Sequence, residues 1–241
     1  VGVKTSALDA TRAIVEVTPY RIEEKYTDKR HPDAVKFAKK LEDDLKRRDF
    51  TINAFAYDPL TAELVDLFGG QKDLDANIIR AVGNAEERFN EDALRLMRAV
   101  RLMCDLDFNI EPKTRDAMEK TKGLLEFVSK ERIRDELEKM MLSDSPASGF
   151  ELMREVGLLK FVMPELEEGW MIGQNKHHIY TVWEHNMRAM QYAVENNWSS
   201  EVRMSALLHD VGKPRSKRGD GPDSTFYGHE IIGAKMAFQM L

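Results

Sequence analysis

Apolar and polar residues alternate only near the start of the chain. Residues 13–21, AIVEVTPYR, alternate and are rich in β-branched side chains, a pattern typical of a strand. Residues 22–40 are polar and predict a loop around DKRHPD. The stretch 41–57 predicts partly helical structure, and DPLTAELVDLFGGQKDL predicts a turn, a strand at Glu63–Asp66 and a tight Gly69-Gly70 turn.

From about residue 71 the apolar spacing is helical. NEDALRLMRAVRLMCDL carries apolar residues every three or four positions, which predicts one buried helix face made of Leu94, Met97, Val100 and Cys104. SKERIRDELEKMML, residues 129–142, predicts a further helix that begins after a serine cap.

The rest of the chain is also predicted to be helical. SPASGFELMREVGLLKFVMPEL predicts one more helix with a break at Gly157, and residues 178–241 predict three helices with a polar loop at 213–226. The pattern therefore divides the chain into a small α/β zone (1–70), a helical middle (71–167) and a second helical zone (176–241).

Composition restricts the class of protein. With 42% hydrophobic and 32% charged residues, the 241-residue chain has the make-up of a globular protein with a core. Its one cysteine, Cys104, excludes an intrachain disulfide and a Cys-rich zinc site and suits the reducing cytoplasm. No apolar run approaches the roughly 20 residues of a membrane span, so we expect no membrane association. The net charge of -6 argues against nonspecific coating of nucleic acid.

One carboxylate stands inside the first apolar strand. Glu16 lies in IVEV, where burying a carboxylate is costly. It either faces water on a one-sided strand or faces a cleft and holds a metal ion, since carboxylate oxygens are ligands that Mg²⁺ prefers. Taken alone, Glu16 does not decide between these interpretations.

A second pattern suggests base recognition. In NEDALRLMRAVR the charged residues recur every three or four positions: Glu91, Arg95, Arg98 and Arg101. A solvated charged helix face is the simpler interpretation. Alternatively, Asp92 accepts from an exocyclic amine while Arg95 donates to a ring nitrogen, which would admit cytosine and adenine and reject guanine and uracil. The later arginines would then suit a triphosphate.

The histidines form a third pattern. His209 and Asp210 stand together in SALLHDVGKP, and His185 lies upstream in WEHNMRAM. Adjacent His and Asp with a distant His can bind a divalent metal ion that activates water. The alternative is that His209 and Asp210 only end a helix.

These motifs together resemble a known family. LEDDLKRRDFTINAFAYD, followed by DLFGGQKDLDANIIRAVGNAEERFNEDALRLMRAVRL, is similar to the bacterial-type (class II) tRNA nucleotidyltransferases, which include the CCA-adding enzymes and the bacterial poly(A) polymerases. KERIRDELEKMML resembles the last core motif of that family. The residues after 177 resemble its HD phosphohydrolase domain, named for the His-Asp doublet.

The resemblance implies a fold and a set of roles. It implies an α+β, mostly α chain: the C-terminal part of a polymerase-β-like head (1–70), an all-α neck (71–167) and a truncated all-α HD domain (176–241). It implies Mg²⁺ at the transfer site and a possible second divalent metal at the HD site, with tRNA, CTP and ATP as partners. The implied site residues are Glu16 as a catalytic carboxylate, Arg48, Asp49, Asn53, Asp92, Arg95, Arg98 and Arg101 around the nucleotide, and His185, His209 and Asp210 at the HD metal.

The chain also departs from the family pattern. The family begins with a Gly-Gly turn, an Arg-Asp pair and a D-x-D strand carrying two metal-binding carboxylates, and no such motifs precede Glu16 in this sequence. We therefore expect this polypeptide by itself not to transfer nucleotides. The HD pattern of the family ends with a further aspartate well beyond the His-Asp doublet, and we do not recognise that aspartate in this sequence.

Several functions remain open at this point. The resemblance favours CCA addition to tRNA, and a poly(A) polymerase is the alternative within the family, because the Asp-x-x-Arg pair is compatible with both. A metal-dependent phosphohydrolase acting on RNA or nucleotide phosphates is an alternative of another class. A non-catalytic tRNA-binding protein is disfavoured because base-reading residues would then have no purpose.

Overall fold

Short strand pairs begin the chain and helices make up the rest. The computed structural model describes residues 2–4, 14–23, 35–37, 39–175 and 178–241, and the side chains of residues 17–20, 39–175 and 178–241. Over these ranges the architecture is α+β and mostly helical, as the sequence predicts.

Two antiparallel pairs lie at the start: β1 (Gly2–Lys4) with β2 (Ile14–Glu16), and β3 (Arg21–Glu23) with β4 (Val35–Phe37). The single strand predicted over 13–21 is thus split, and Pro19, which has no N–H to donate to a ladder, lies in the gap. The loop predicted over 22–40 contains β4, which corrects that prediction. The DKRHPD segment lies outside the described residues.

The head continues with α1 (Leu41–Lys46), a 3₁₀ turn (Thr51–Asn53) and the hairpin of β5 (Phe55–Asp58) and β6 (Glu63–Asp66). The strand predicted at β6 is confirmed. Gly69, with φ +73°, then leads into α2 (Gly70–Asp75). A Cβ on Gly70 would lie 2.3 Å from the carbonyl oxygen of Thr51, so this close approach requires glycine.

The neck contains α3 (Ala85–Glu91), α4 (Leu94–Leu106), α5 (Pro112–Thr121) and α6 (Lys130–Leu142), and the short parallel pair β7 (Ile78–Ile79) and β8 (Asn109–Ile110). The predicted apolar face of α4 is confirmed, because all four of its residues are buried. Burial raises the pKa of the Cys104 thiol to about 12, consistent with a core residue.

The helix predicted after residue 145, with a break at Gly157, is three helices: α7 (Pro146–Glu155), α8 (Leu159–Val162) and α9 (Pro164–Glu167). Gly157 ends the first with φ +77°, and Pro164 begins the third. The predicted break at Gly157 is confirmed, and the second break, at Pro164, was not predicted because the apolar spacing continues through it.

The last zone contains α10 (Val182–Glu195), α11 (Ser200–Leu208), α12 (Lys213–Ser216) and α13 (His229–Met240). The three predicted helices are confirmed, and the predicted polar loop holds the short α12. Buried side chains from Phe50 to Leu208 form one continuous core, so this zone packs directly on the neck. In the described part of the chain, no helix is long and apolar enough to cross a bilayer.

Candidate functional site

Asp49 is the centre of a polar cluster at the edge of the head. Its Oδ1 accepts from the backbone N–H of Phe50 at 2.9 Å and lies 3.4 Å from Nδ2 of Asn53. Its Oδ2 accepts from Nε of Arg98 on α4 at 2.7 Å. Arg48 donates to the carbonyl oxygen of Asn53 at 2.9 Å. The structure thus brings together four of the residues singled out from the sequence.

The backbone around Asp49 is held by the start of the neck. Val82 N–H donates to the Asp49 carbonyl oxygen at 3.0 Å, and Thr51 N–H donates to that of Arg80 at 2.9 Å. Phe50 is fully buried beneath this contact. The buried Thr51 hydroxyl donates to Asp73 at 2.7 Å, so it anchors the segment and does not face the cluster.

Asp92 and Arg95 lie close in sequence but have separate partners. Asp92 is not helical: it takes an extended conformation (φ -141°, ψ 105°) between α3 and α4, which corrects the prediction that NEDALRLMRAVRLMCDL is helical throughout. Its Oδ1 accepts from Leu94 N–H at 3.1 Å, and its Oδ2 accepts from Nη2 of Arg132 on α6 at 2.8 Å. This turn conformation competes with the helix because a short carboxylate can bond nearby backbone N–H groups.

Arg95 is buried and held on three sides. Its Nη1 lies 2.6 Å from Oε2 of Glu91 and 3.0 Å from the carbonyl oxygen of Arg88. Its Nη2 donates to the carbonyl oxygen of Arg47 at 2.8 Å. Arg95 therefore connects the Asp92 turn to the segment that carries Arg48 and Asp49.

Arg101 sits one turn beyond Arg98 in a different setting. Its Nε lies 2.6 Å from Oε2 of the buried Glu136, and its Nη1 lies 2.8 Å from Oδ2 of Asp105. It neutralises the buried carboxylate of Glu136, which Lys139 also contacts at 3.2 Å through Oε1. A triphosphate contact for Arg101 stays a prediction.

Glu16 is the last residue of β2. Its side chain lies outside the described residues, so its role as a metal-binding carboxylate stays a prediction as well.

The three residues predicted at the HD metal come together. Nε2 of His185 and Nε2 of His209 are 3.0 Å apart, and they lie 3.3 and 3.2 Å from Oδ2 of Asp210. One ligand atom from each lies within 4.8 Å of the others, close enough to share one ion. His185 comes from α10, His209 ends α11, and Asp210 follows it directly.

The electrostatics of this cluster follow from burial and pairing. Burial alone would raise the pKa of Asp210, but hydrogen bonds from His209 and Lys213 hold it well below its usual range. The bond to Asp210 raises the pKa of His209. Desolvation, then the charge of His209, lowers the pKa of His185.

The donor set fits a divalent metal ion. Two imidazole nitrogens and a carboxylate oxygen suit a first-row transition metal. Nδ1 of His209 lies 2.7 Å from the carbonyl oxygen of Ala206, and a donated proton there leaves Nε2 free as a ligand atom. When bound, such an ion would lower the pKa of a water molecule and make it nucleophilic.

Two further polar residues hold Asp210. Buried Lys213 places Nζ 2.7 Å from Oδ2 of Asp210 and 2.6 Å from Oε1 of Gln174. His229, at the start of α13, places Nε2 3.4 Å from Oδ1 of Asp210. Sequence reasoning missed Lys213 and Gln174, although Lys213 lies one helical turn after Asp210. It also missed Arg132, which lies 40 residues from Asp92 with no spacing that links them.

Three family models match the chain in order. They are the poly A polymerase head domain over residues 2–80, the probable RNA and SrmB-binding site of polymerase A over residues 107–169, and the HD domain over residues 182–241. The nucleotidyltransferase and HD families are both dependent on divalent metal ions.

Curated relatives agree with these models. The chain is 50% identical over 153 residues to the CCA-adding enzyme of Lactococcus lactis, covering 64% of this chain and 38% of that protein. It is 38% identical over 219 residues to the A-adding tRNA nucleotidyltransferase of Deinococcus radiodurans, covering 87% of this chain and 50% of that protein. The chain thus spans half or less of the length of these relatives.

Solved structures show the same fold. A CCA-adding enzyme of Bacillus stearothermophilus in complex with CTP superposes with a TM-score of 0.56 at 27% identity, covering 95% of this chain and 64% of that one. A Thermotoga maritima CCA-adding enzyme complexed with tRNA gives 0.55 at 29% identity, covering 70% and 40%. With its head, RNA-binding and HD segments in this order, the chain belongs to the tRNA nucleotidyltransferase family that contains the CCA-adding and A-adding enzymes.

Proposed function

We propose that this protein is a CCA-adding tRNA nucleotidyltransferase, which transfers CMP and AMP from CTP and ATP to the tRNA 3′ end without a nucleic-acid template. The observation that carries this proposal is the contact of Asp49 with Arg98, which joins the polar edge of the head to α4 beside the Asp92 turn. The phosphates and ribose of a nucleotide bound there could contact the head, and its base could contact the Asp92 turn.

Each cluster has a role in this proposal. Arg48, Asp49 and Asn53 hold the phosphate and ribose. Arg98 and Arg101 contact the triphosphate, for which planar guanidinium groups are well suited.

Asp92 and Arg95 read the base. A carboxylate only accepts hydrogen bonds, so Asp92 favours the exocyclic amine of cytosine or adenine over a carbonyl. The protein itself would then take the place of a template strand.

The reaction is in-line attack of the RNA 3′-hydroxyl on the α-phosphate, with pyrophosphate as the leaving group. Arg98 would stabilise negative charge on the phosphates. We assign Mg²⁺ as the ion at this site, with Glu16 among its carboxylates, because Mg²⁺ would neutralise charge that develops on the phosphate oxygens.

Two solved relatives support the partners, since one is described with CTP and another with tRNA. We extend both partners to this protein, and expect tRNA to be held mainly through its backbone and shape. The single buried cysteine is compatible with a cytoplasmic location, which we also propose.

Primer extension at single-nucleotide resolution tests the proposal. Full-length protein would be given tRNAs ending before CCA and after CC, with CTP and ATP separately and together. We expect two C followed by one A, and then a stop. Addition of A only to the tRNA ending in CC would make it an A-adding enzyme, and long A tracts would make it a poly(A) polymerase. No addition would contradict the proposal.

The cluster of His185, His209 and Asp210 supports a second activity, hydrolysis of phosphate esters at RNA or nucleotide ends. Hydrolysis of 2′,3′-cyclic AMP and of 2′-AMP would be measured with added divalent ions. We expect His209→Ala to abolish hydrolysis and leave primer extension unchanged. Hydrolysis that survives this substitution would come from elsewhere.

A further inference from the structure

The carboxylate of Asp92 is fixed by α6 as well as by its own turn. Its Oδ1 accepts from Leu94 N–H and its Oδ2 from Nη2 of Arg132, so both oxygens are oriented. The backbone of Asp92 lies outside both neighbouring helices. Because Asp92 is not part of a helix, the orientation of its side chain depends on the hydrogen bonds from Leu94 and Arg132.

Arg132 is itself firmly placed. It lies in the first turn of α6, and the next residue, Ile133, is buried in the core with Leu137 one turn later. α6 packs along α4, the helix that carries Arg95 and Arg98. The backbone that carries Arg132 is thus set by packing between two core helices.

The ion pair remains within reach of a ligand. The side chains of Asp92 and Arg132 are 21% and 25% exposed, so neither is sealed in the core. Each carboxylate oxygen of Asp92 accepts one bond here and has capacity for a second. Among the described residues, Nη1 of Arg132 has no hydrogen-bond partner, and leaving such a donor buried is costly.

We propose that Arg132 is a specificity-determining positioning residue, which holds the Asp92 carboxylate in the orientation that accepts the amine of cytosine or adenine. This inference rests on the base-reading role in the proposed function. Without Arg132, only the bond from Leu94 N–H to Oδ1 remains, so Oδ2 loses its fixed position and an amine loses an oriented acceptor. Selectivity among bases would then fall while attraction for the phosphates remained.

Equilibrium titration of CTP, UTP, ATP and GTP into the protein tests this inference, with inorganic tripolyphosphate as a ligand without a base. We expect Arg132→Ala to lower the preference for CTP over UTP about tenfold, the value of one hydrogen bond to a charged group. Affinity for tripolyphosphate should stay unchanged. Arg134→Ala is the matched control, because Arg134 lies on the same helix and its ion pairs among the described residues are with exposed Asp135 and Glu138.

A double-mutant cycle separates positioning from general damage. If Arg132 acts through Asp92, Arg132→Ala should not change the remaining preference in an Asp92→Ala background. A further change in that background would overturn the inference, and so would an unchanged preference in the single variant. Arg132→Lys, which keeps the charge without the planar fork, gives the same comparison should the alanine variant not fold; we expect it to lose selectivity, and full selectivity would overturn the inference.

The proposed function and this inference fail differently. A wild-type protein that binds all four nucleotides equally would remove the base-reading role itself. A wild-type preference for CTP and ATP that Arg132→Ala leaves intact would remove only the role of Arg132.

Discussion

Oδ2 of Asp49 lies 2.6 Å from Nη2 of Arg98, and this ion pair joins the head to α4. The two neighbouring arginines of α4 are also paired, Arg95 with Glu91 and Arg101 with Glu136. They differ in access: the side chain of Arg98 is 33% exposed, against 11% for Arg95 and 18% for Arg101. Of the three, Arg98 is therefore the one best able to turn toward an incoming phosphate.

Removing Arg98 should weaken phosphate binding. We expect Arg98→Ala to lower affinity for inorganic tripolyphosphate by roughly tenfold or more, because one charge-assisted contact is worth about 1.5–3 kcal/mol. Isothermal titration calorimetry would measure it, with Arg134→Ala as the control. Equal affinities of the two variants would show that Arg98 only bridges head and neck.

The adjacent glycines at 69 and 70 should respond differently to alanine. A Cβ on Gly70 would meet the Thr51 carbonyl oxygen at 2.3 Å and the Phe55 ring at 2.7 Å, so backbone must move. We expect Gly70→Ala to cost about 3 kcal/mol or more of unfolding free energy. A Cβ on Gly69 meets open space, so Gly69→Ala should cost only about 1–2 kcal/mol for its left-handed φ.

Urea denaturation of both variants checks this difference. The wild-type protein provides the reference, and Gly123→Ala, at a position where a Cβ also meets open space and φ is not positive, is the control. Similar losses of unfolding free energy in Gly69→Ala and Gly70→Ala would mean that the turn conformation, and not the close contact of position 70 with Thr51, requires glycine.

What the sequence predicted well was local. The apolar spacing of Leu94, Met97 and Val100 predicts one face of α4, and the turn signals on either side of Glu63–Asp66 predict β6, because each depends only on neighbours in the chain. The family motifs predicted Arg48, Asp49 and Asn53 as a group, and these residues do lie together.

The features that the sequence did not predict depend on contacts between distant segments of the chain. Nothing near Asp92 in sequence indicates that its partner is Arg132, since the packing of α6 on α4 decides that pairing. The helix break at Asp92 was missed for a related reason: the apolar period runs through it, whereas the Asp92 carboxylate accepts from Leu94 N–H at the start of α4, a bond that favours a non-helical backbone at Asp92.

Asp66 should make stability depend on pH. Burial alone would raise its pKa, but backbone N–H groups of Gln71, Gly70 and neighbouring residues lower it below the ordinary 3.8. A lowered folded-state pKa contributes stability above that ordinary value, and the contribution is lost as pH falls through the folded-state pKa. Asp66→Asn should therefore be less stable than wild type by about 1 kcal/mol at pH 7.

Urea unfolding at pH 7, 5, 4 and 3 would follow this difference. The difference in unfolding free energy between wild type and Asp66→Asn should be constant from pH 7 to 5 and shrink below about pH 4. Asp58→Asn is the control, because within the part of the chain that the structure describes the Asp58 carboxylate accepts from one backbone group, Leu60 N–H, on an exposed turn. A difference that does not change with pH would show that Asp66 acts as a neutral hydrogen-bond acceptor.

The HD cluster should bind a divalent transition-metal ion. We expect His209→Ala and Asp210→Asn each to weaken Zn²⁺ or Mn²⁺ binding by at least about 100-fold, since even outer partners of metal ligands affect affinity by about 10–100-fold. Equilibrium dialysis would measure binding without any substrate. His178→Ala is the control, because that exposed ring lies 5.8 Å from the His185 ring but outside the ligand cluster. Equal binding by all variants would place the ion elsewhere.

Arg203 should be essential for the junction of the HD domain with the neck. Its buried side chain donates to the carbonyl oxygens of Met141 at 2.7 Å and Ser143 at 3.1 Å, at the end of α6, and to that of Trp198 at 2.9 Å. The last carbonyls of a helix have no partner within it, so Arg203 supplies donors that α6 itself lacks. Arg203→Ala would leave these oxygens unsatisfied and should cost about 3 kcal/mol of unfolding free energy, measured by urea denaturation.

Arg203→Lys should recover part of the lost stability, because an ammonium group can reach one or two of the three carbonyl oxygens. Arg134→Ala is the control and should change stability by less than about 0.5 kcal/mol. If Arg203→Ala were as stable as Arg134→Ala, water must satisfy the end of α6, and the packing of apolar side chains alone would hold the two zones together.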